Sequence, residues 1–321
     1  MPNLVLLRLR LHPLQNYVET IVTLLNALPC LKEVYLPAFP DISPILSSFS
    51  GSLMLCELCF SYRSLTKAVV NTGNAPVNFP ALERLKFSVG HYQRLHSFLG
   101  TNRFSKLTSL MLYSITIEQP VSIKNILNDI SQCCPCLENL DLGYEESAFN
   151  EPSDIQNSPG SFIITLNDLI PILDCKKISY FSLDYPYPIS LSDTDIEKIA
   201  LEWSNLKALR LPNTPWISDQ WSIIQPTLQG ILLLAQHCPN LEELAILIET
   251  KSQDTTLDNF SSPITVQKAA TLTNLDVGDS LIEPDDVSAA VELLSRICSS
   301  DCALKWNEKE DGSDVHGSAL Y

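Results

Sequence analysis

Glycine is scarce in this chain, ten in 321 residues, and the nearest pair, Gly312 and Gly317, lies in a polar stretch near the end. A phosphate-cradling loop needs closely spaced glycines at the start of a helix, so that bare backbone can approach the ligand. Ser318 stands where such a loop would place lysine, so nucleotide cofactors held by the familiar loops are not expected. Positive charge is also short: 21 Lys and Arg against 37 Asp and Glu leave a formal charge of −16. Neutralising a phosphate backbone needs a basic field, which argues against nucleic acid as a partner. Long hydrophobic runs are missing too. Ile231 to Ala235 is far shorter than the roughly 18 residues that span a bilayer, so no membrane association is expected. Arg8 and Arg10 interrupt the opening apolar stretch, which does not read as a secretory signal. Histidines are scattered. His91 and His96 are five apart, missing the four-residue step that sets two ligands on one helix face. No Gly-x-Ser-x-Gly elbow accompanies them, and the chain reads as a non-enzyme without catalytic residues, metal or cofactor.

What the chain does have is apolar content, 45%, laid out in one recurring phrase: apolar-x-x-apolar-x-apolar. It reads Leu4/Leu7/Leu9, Leu31/Val34/Leu36, Leu55/Leu58/Phe60, Leu82/Leu85/Phe87 and Leu107/Leu110/Leu112. It continues as Leu137/Leu140/Leu142, Ile178/Phe181/Leu183, Leu206/Leu209/Leu211, Leu241/Leu244/Ile246 and Leu272/Leu275/Val277. The ten first positions are 24 to 41 residues apart. Three residues upstream sits another apolar side chain (Met1, Leu28, Phe79, Phe104, Cys134, Cys175, Trp203, Cys238, Ala269), with Ser52 the exception. Proline often follows it, as at Pro29, Pro80, Pro135 and Pro239, where it stops a preceding helix. Between phrases the period changes to that of a helix, at Ile21/Leu24/Leu25/Leu28, Ile123/Ile126/Leu127/Ile130, Leu166/Leu169/Ile170/Leu173, Ile196/Ile199/Ala200/Trp203 and Ile231/Leu234/Ala235/Cys238.

Each unit therefore predicts a short strand, a loop and a returning helix. Neither element hides its apolar face alone, so the units must stack. The predicted fold is an α/β solenoid of about ten irregular repeats, with parallel strands on a concave face and helices on the convex one. A doubly wound sheet would need strands apolar on both faces, and here alternate positions are polar.

These phrases resemble leucine-rich repeats, over residues 1–306, with insertions near 143–161 and 249–263 and a polar, disordered tail at 307–321. Cys134-Pro-Cys-Leu-Glu-Asn-Leu-Asp-Leu142 and His237-Cys-Pro-Asn-Leu-Glu-Glu-Leu244 are most similar to the irregular repeats of F-box proteins, notably fungal ones. The resemblance implies a substrate-recognition module of a ubiquitin ligase in the cytoplasm or nucleus. A Skp-type adaptor and cullin would be partners only if an F-box precedes Met1, since none is visible. The uncapped first repeat at Met1 is an expectation of either a covering partner or a missing upstream segment. Alternatives are a regulator resembling ribonuclease inhibitors or GTPase activators, and a scaffold unconnected with ligases. The chain departs from the regular family at the eighth position after each first residue, where Asn or Cys normally form a ladder. Here stand His12, Phe39, Arg63, Gly90, Ile115, Glu145, Pro186, Thr214, Glu249 and Ser280, so no side-chain ladder is expected.

Cys56-x-x-Cys59 invites a zinc reading, but Cys133, Cys134 and Cys136 lie three units away, and core packing is the expectation. The informative side chains are those two, four and six residues after each first position, facing out of the concave sheet. Arg8, Arg10, Tyr35, Arg84, Lys86, Met111, Tyr113, Asp141, Tyr180, Asp184 and Arg210 are the candidate contacts for a protein client there. Arg, Tyr and Met on a rigid surface are typical anchors.

Overall fold

The computed structural model describes residues 3–12, 14–61, 77–144, 159–215, 223–249, 272–280 and 287–307. Its strands are β1 (Leu6–Arg8), β2 (Glu33–Pro37), β3 (Glu57–Ser61), β4 (Arg84–Val89), β5 (Ser109–Ser114), β6 (Asn139–Tyr144), β7 (Ile164–Thr165), β8 (Tyr180–Leu183), β9 (Ile189–Ser190), β10 (Ala208–Arg210), β11 (Glu243–Ala245), β12 (Leu272–Asp276) and β13 (Cys298–Lys305). Eleven of them make one sheet in the order β1-β2-β3-β4-β5-β6-β8-β10-β11-β12-β13, while β7 and β9 pair separately. Every pair in the large sheet is parallel, and all but the last keep one register. Leu7, Val34, Leu58, Leu85, Leu110, Leu140, Phe181, Leu209, Leu244 and Leu275 therefore stand side by side. That row is the middle apolar residue of each phrase, so the repeat in the sequence is the register of the sheet. The fold is the predicted leucine-rich-repeat solenoid.

Among the described residues, helices connect most successive strands: α1 (Val18–Asn26), α2 (Ser43–Ser48), α3 (His96–Thr101), α4 (Pro120–Cys133), α5 (Leu166–Leu169), α6 (Asp193–Glu202), α7 (Leu228–His237) and α8 (Val287–Ile297). Their apolar stripes pack on the inner side of the sheet. Ile123, Ile126, Leu127 and Ile130 in α4, and Ile196, Ile199 and Ala200 in α6, are buried as their spacing requires. The pattern at Leu166 to Leu173 gives less helix than its period promises. Pro171 has no N–H to donate, and after Leu169 the chain tightens into a 3₁₀ turn over Ile170–Asp174 that leaves Ile170 exposed.

An unforeseen strand closes the series: β13 pairs with β12, with Leu304 opposite Leu275 and Lys305 opposite Asp276. Its phrase is obscured because Asp301 occupies the first apolar position. The missing asparagine ladder is replaced by backbone. At the entry to each strand two successive N–H groups converge on one carbonyl of the preceding unit: Lys32 and Glu33 on Val5, Cys56 and Glu57 on Lys32, Glu138 and Asn139 on Thr108. The pattern runs on to Thr273 and Asn274 on Glu242, where the Thr273 hydroxyl also donates to the same carbonyl at 3.0 Å. One eighth-position residue does act as a rung, against expectation. The buried Ser280 hydroxyl accepts the Ile248 N–H at 2.9 Å, because Ser280 turns inward behind β12.

Most of the two expected insertions lies outside the described residues, at 145–158 and 250–263, as do 308–321 of the expected tail and Met1. Flanking the first insertion, β7 and β9 bracket β8, and Tyr185 and Tyr187 between them are buried against Phe162.

Candidate functional site on the concave face

Side chains two, four and six residues after the first position of each phrase point away from the helices, because successive strand residues alternate in direction. Three networks cover this face, and each seats a cation on a tyrosine ring. In the first units the Arg8 guanidinium lies 4.3 Å from the centre of the Tyr35 ring. The Tyr35 hydroxyl donates to Glu57 at 2.7 Å, and Arg84 Nε donates to the same carboxylate at 2.6 Å. Burial first, and then the bond to Glu57, pushes the Tyr35 phenol up to about 12. In the middle, Lys86 Nζ lies 4.5 Å from the centre of the Tyr113 ring, whose hydroxyl donates to Asp141 at 2.5 Å. Tyr113 can lie across β6 only because residue 143 is glycine: a β-carbon there would sit 2.5 Å from Tyr113 Cδ1. In the later units Arg210 donates from Nε and Nη2 to the two oxygens of Glu243, both at 2.8 Å, and from Nη1 to the Tyr180 hydroxyl at 2.8 Å. Its guanidinium carbon is 5.3 Å from the Tyr180 ring centre.

The basic residues singled out by offset are thus largely engaged with neighbours on their own sheet. Tyr113, Asp141, Tyr180, Asp184 and Arg210 come together around one hollow of about 640 Å³, joined by Tyr144, Glu243, Asp276 and Lys305. Arg8, Tyr35 and Arg84 form a separate group, which Glu57 holds together, and Lys86 reaches the hollow only through Tyr113. Met111 and Arg10 are exposed and line no part of it. Asp184 is unlike the others. Its backbone continues the ladder between β6 and β8, but its carboxyl makes no ion pair among the described residues, and burial and then the neighbouring Asp141 carboxylate raise its pKa. Lys305 escaped the sequence reading with its strand; the signal that could have found it is Leu304-x-Trp306 after a helical stripe.

A second hollow, about 730 Å³, opens beside α3 and α4 and contains both His91 and His96. The five-residue spacing of these histidines misses the step of a helical metal pair, yet the stacked units give each a carboxylate. His96 Nδ1 is 2.6 Å from Asp129 Oδ2, and the Asp129 side chain is buried. His91 hydrogen-bonds Thr116 and lies 3.8 Å from Glu118. Glu118 is a structural acceptor: it takes the Tyr92 N–H at 2.7 Å and the Ser114 and Ser122 hydroxyls at 2.9 and 2.7 Å. Among the described residues no three His, Cys, Asp or Glu side chains converge as a metal cage. Cys59, Cys134, Cys175 and Cys238 are buried, and burial pushes the Cys175 thiol to about 11 and that of Cys238 to about 12. Thiols so far above neutral pH pack as small apolar groups and are poor nucleophiles.

No protein-family model and no curated protein sequence matches the chain. Among solved structures, an internalin (InlF) from Listeria monocytogenes strain 4b F2365 is similar at 15% identity, with a TM-score of 0.39, over 88% of this chain and 77% of that one. No described helix is long and apolar enough to cross a membrane.

Proposed function

We propose that this chain is a protein-binding solenoid whose concave sheet face is the recognition surface. The observation that carries the reading is the set of three cation–tyrosine networks on that face. Arg and Tyr side chains that are held in place before a partner arrives lose little rotamer freedom on binding, which converts contact area into affinity. A parallel sheet with one register supplies the rigid base that such anchors need. No chemistry is assigned to the face; its role is to hold a client. The repeat domain is taken to span residues 1–306, in the cytoplasm or nucleus, where free thiols persist.

A finer version has the client presented to a ubiquitin ligase, through a Skp-type adaptor and cullin. Its support is the likeness of the phrases at Cys134–Leu142 and His237–Leu244 to F-box repeat proteins. A regulator of another enzyme would use the same face in the same way.

Affinity capture from a eukaryotic lysate, read by mass spectrometry, tests the reading when an Arg84→Glu/Lys86→Glu chain is run beside the native one. A client held by the native chain and lost from the folded variant is the expected result. Identical captures from both would remove the concave face from the function. Recovery of a Skp-type adaptor and cullin with the native chain would support the ligase version, and their absence beside a specific client would set it aside.

A further inference from the structure

We propose that the hollow over β6, β8, β10 and β11 receives a lysine or arginine side chain of the protein partner. The proposal deepens the reading above and rests on it: it names the chemistry that the concave face selects.

Charge around the hollow does not balance internally. Arg210 is taken up by both oxygens of Glu243 and by the Tyr180 hydroxyl. Lys305 and Asp276 also line the hollow, one charge of each sign with no ion pair between them, so the lining carries Asp141, Asp184, Glu243 and Asp276 against Arg210 and Lys305. That leaves Asp141 and Asp184, neither with an ion-pair partner among the described residues. Asp141 accepts one bond from Tyr113, while the Asp184 carboxyl accepts no side-chain bond among the described residues. Two adjacent carboxylates repel each other, and their open acceptor sites match the donors of a guanidinium or ammonium group. An anionic partner would meet the same charge as repulsion.

The rest of the face shows independently what that group would find. Three times the surface seats one of its own cations on a tyrosine ring, with a carboxylate bonded at the tyrosine hydroxyl or at the cation. In the hollow the tyrosines are present, and Asp141 and Asp184 have no such ion-paired cation among the described residues. At about 640 Å³ the space accommodates a long basic side chain with flanking backbone. Clefts that take small-molecule ligands span roughly 300–1,000 Å³. The low supply of basic residues across the chain, 21 against 37 acidic, adds a field that draws the same partner in.

The test uses fluorescence anisotropy of the full chain with a labelled Ser-Gly-Arg-Arg-Gly-Ser peptide and the same peptide carrying citrulline for arginine, which keeps shape and removes charge. The arginine peptide should bind, with citrulline weaker by about tenfold or more, as expected for losing charge-assisted bonds. Asp141→Asn/Asp184→Asn should weaken the arginine peptide by about tenfold. Glu83→Gln/Glu138→Gln changes net charge equally at exposed positions outside the hollow and should stay within about twofold. Since Asp141 holds Tyr113, the single Asp184→Asn change, which breaks no side-chain bond among the described residues, repeats the measurement without that disturbance. Equal binding of the citrulline peptide, equal losses in both double variants, or no arginine-peptide binding up to about 1 mM would each overturn the proposal. A captured client that survives Asp141→Asn/Asp184→Asn would overturn it too, and leave the protein-binding reading standing. Peptide binding without any concave-face client would do the reverse.

Discussion

The Asp184 carboxyl is less acidic than a solvated one, whose pKa is 3.8, because burial and then Asp141 disfavour its charge. A carboxylate raised in the folded state supports folding below the ordinary value and loses that support as pH climbs through the raised one. At neutral pH Asp184 is therefore a small burden on the fold. Asp184→Asn should show a urea midpoint at or above the native one at pH 7, with the difference shrinking as pH falls toward 3.8. A lower midpoint at pH 7 would mean that the ionised group makes stabilising bonds. At this scale the offsets in the phrase correctly placed Tyr113, Asp141, Tyr180, Asp184 and Arg210 on one face. They could not say that Arg210 would be spent on Glu243, or that Gly143 clears the space for Tyr113, since those pairings depend on neighbouring units up to 33 residues away.

Helix α6 shows how an element is both locally encoded and held by its neighbour. Ser192 and Asp195 form a reciprocal capping box: the serine hydroxyl accepts the Asp195 N–H and the Asp195 carboxylate accepts the Ser192 N–H. Asp193, one residue in, reaches the next unit and accepts the Thr227 N–H and hydroxyl, both at 2.8 Å, where α7 begins. Gly230 lets the two helices close: a β-carbon there would lie 2.7 Å from the Asp193 carboxylate. Ser192→Ala should lower stability by about 1 kcal/mol, typical of a lost N-cap. Amide exchange should show the loss concentrated in the first turn of α6, and uniform loss along the chain would argue against a local cap. The stripe of α6 was legible in the sequence. The shortened helix at Leu166 was misread because an apolar stripe continues through Pro171 while its hydrogen bonds cannot.

A stacked array has no single centre, so the effect of a core change depends on whether one or two neighbours cover it. Leu110 in β5 is fully buried between β4 and β6, and Leu110→Ala should cost about 3–5 kcal/mol. Leu7 has the same place in its phrase, but β1 pairs only with β2 and the side chain is half-buried, so Leu7→Ala should cost about 1 kcal/mol. Urea unfolding of both variants checks the ratio, and equal losses would contradict nearest-neighbour stacking. The apolar side chains left exposed at the far end, Leu304 at 57% and Trp306 at 48%, fit the same picture, since β13 has a strand on one side only.

The sequence by itself determined the solenoid, because burial of one face repeats with each unit and a repeating pattern of apolar residues is the direct record of it. It also determined which side chains leave the sheet on the concave face, since alternation along a strand is a property of the backbone. Only the tertiary structure decided which of those side chains meet. Distances across strands depend on how far each unit's loops and helix carry the chain, and these units differ in length. The meeting of His96 with Asp129, the self-pairing of Arg210 with Glu243, and the gathering of Asp141 and Asp184 in one hollow follow from register between units, which no single phrase contains.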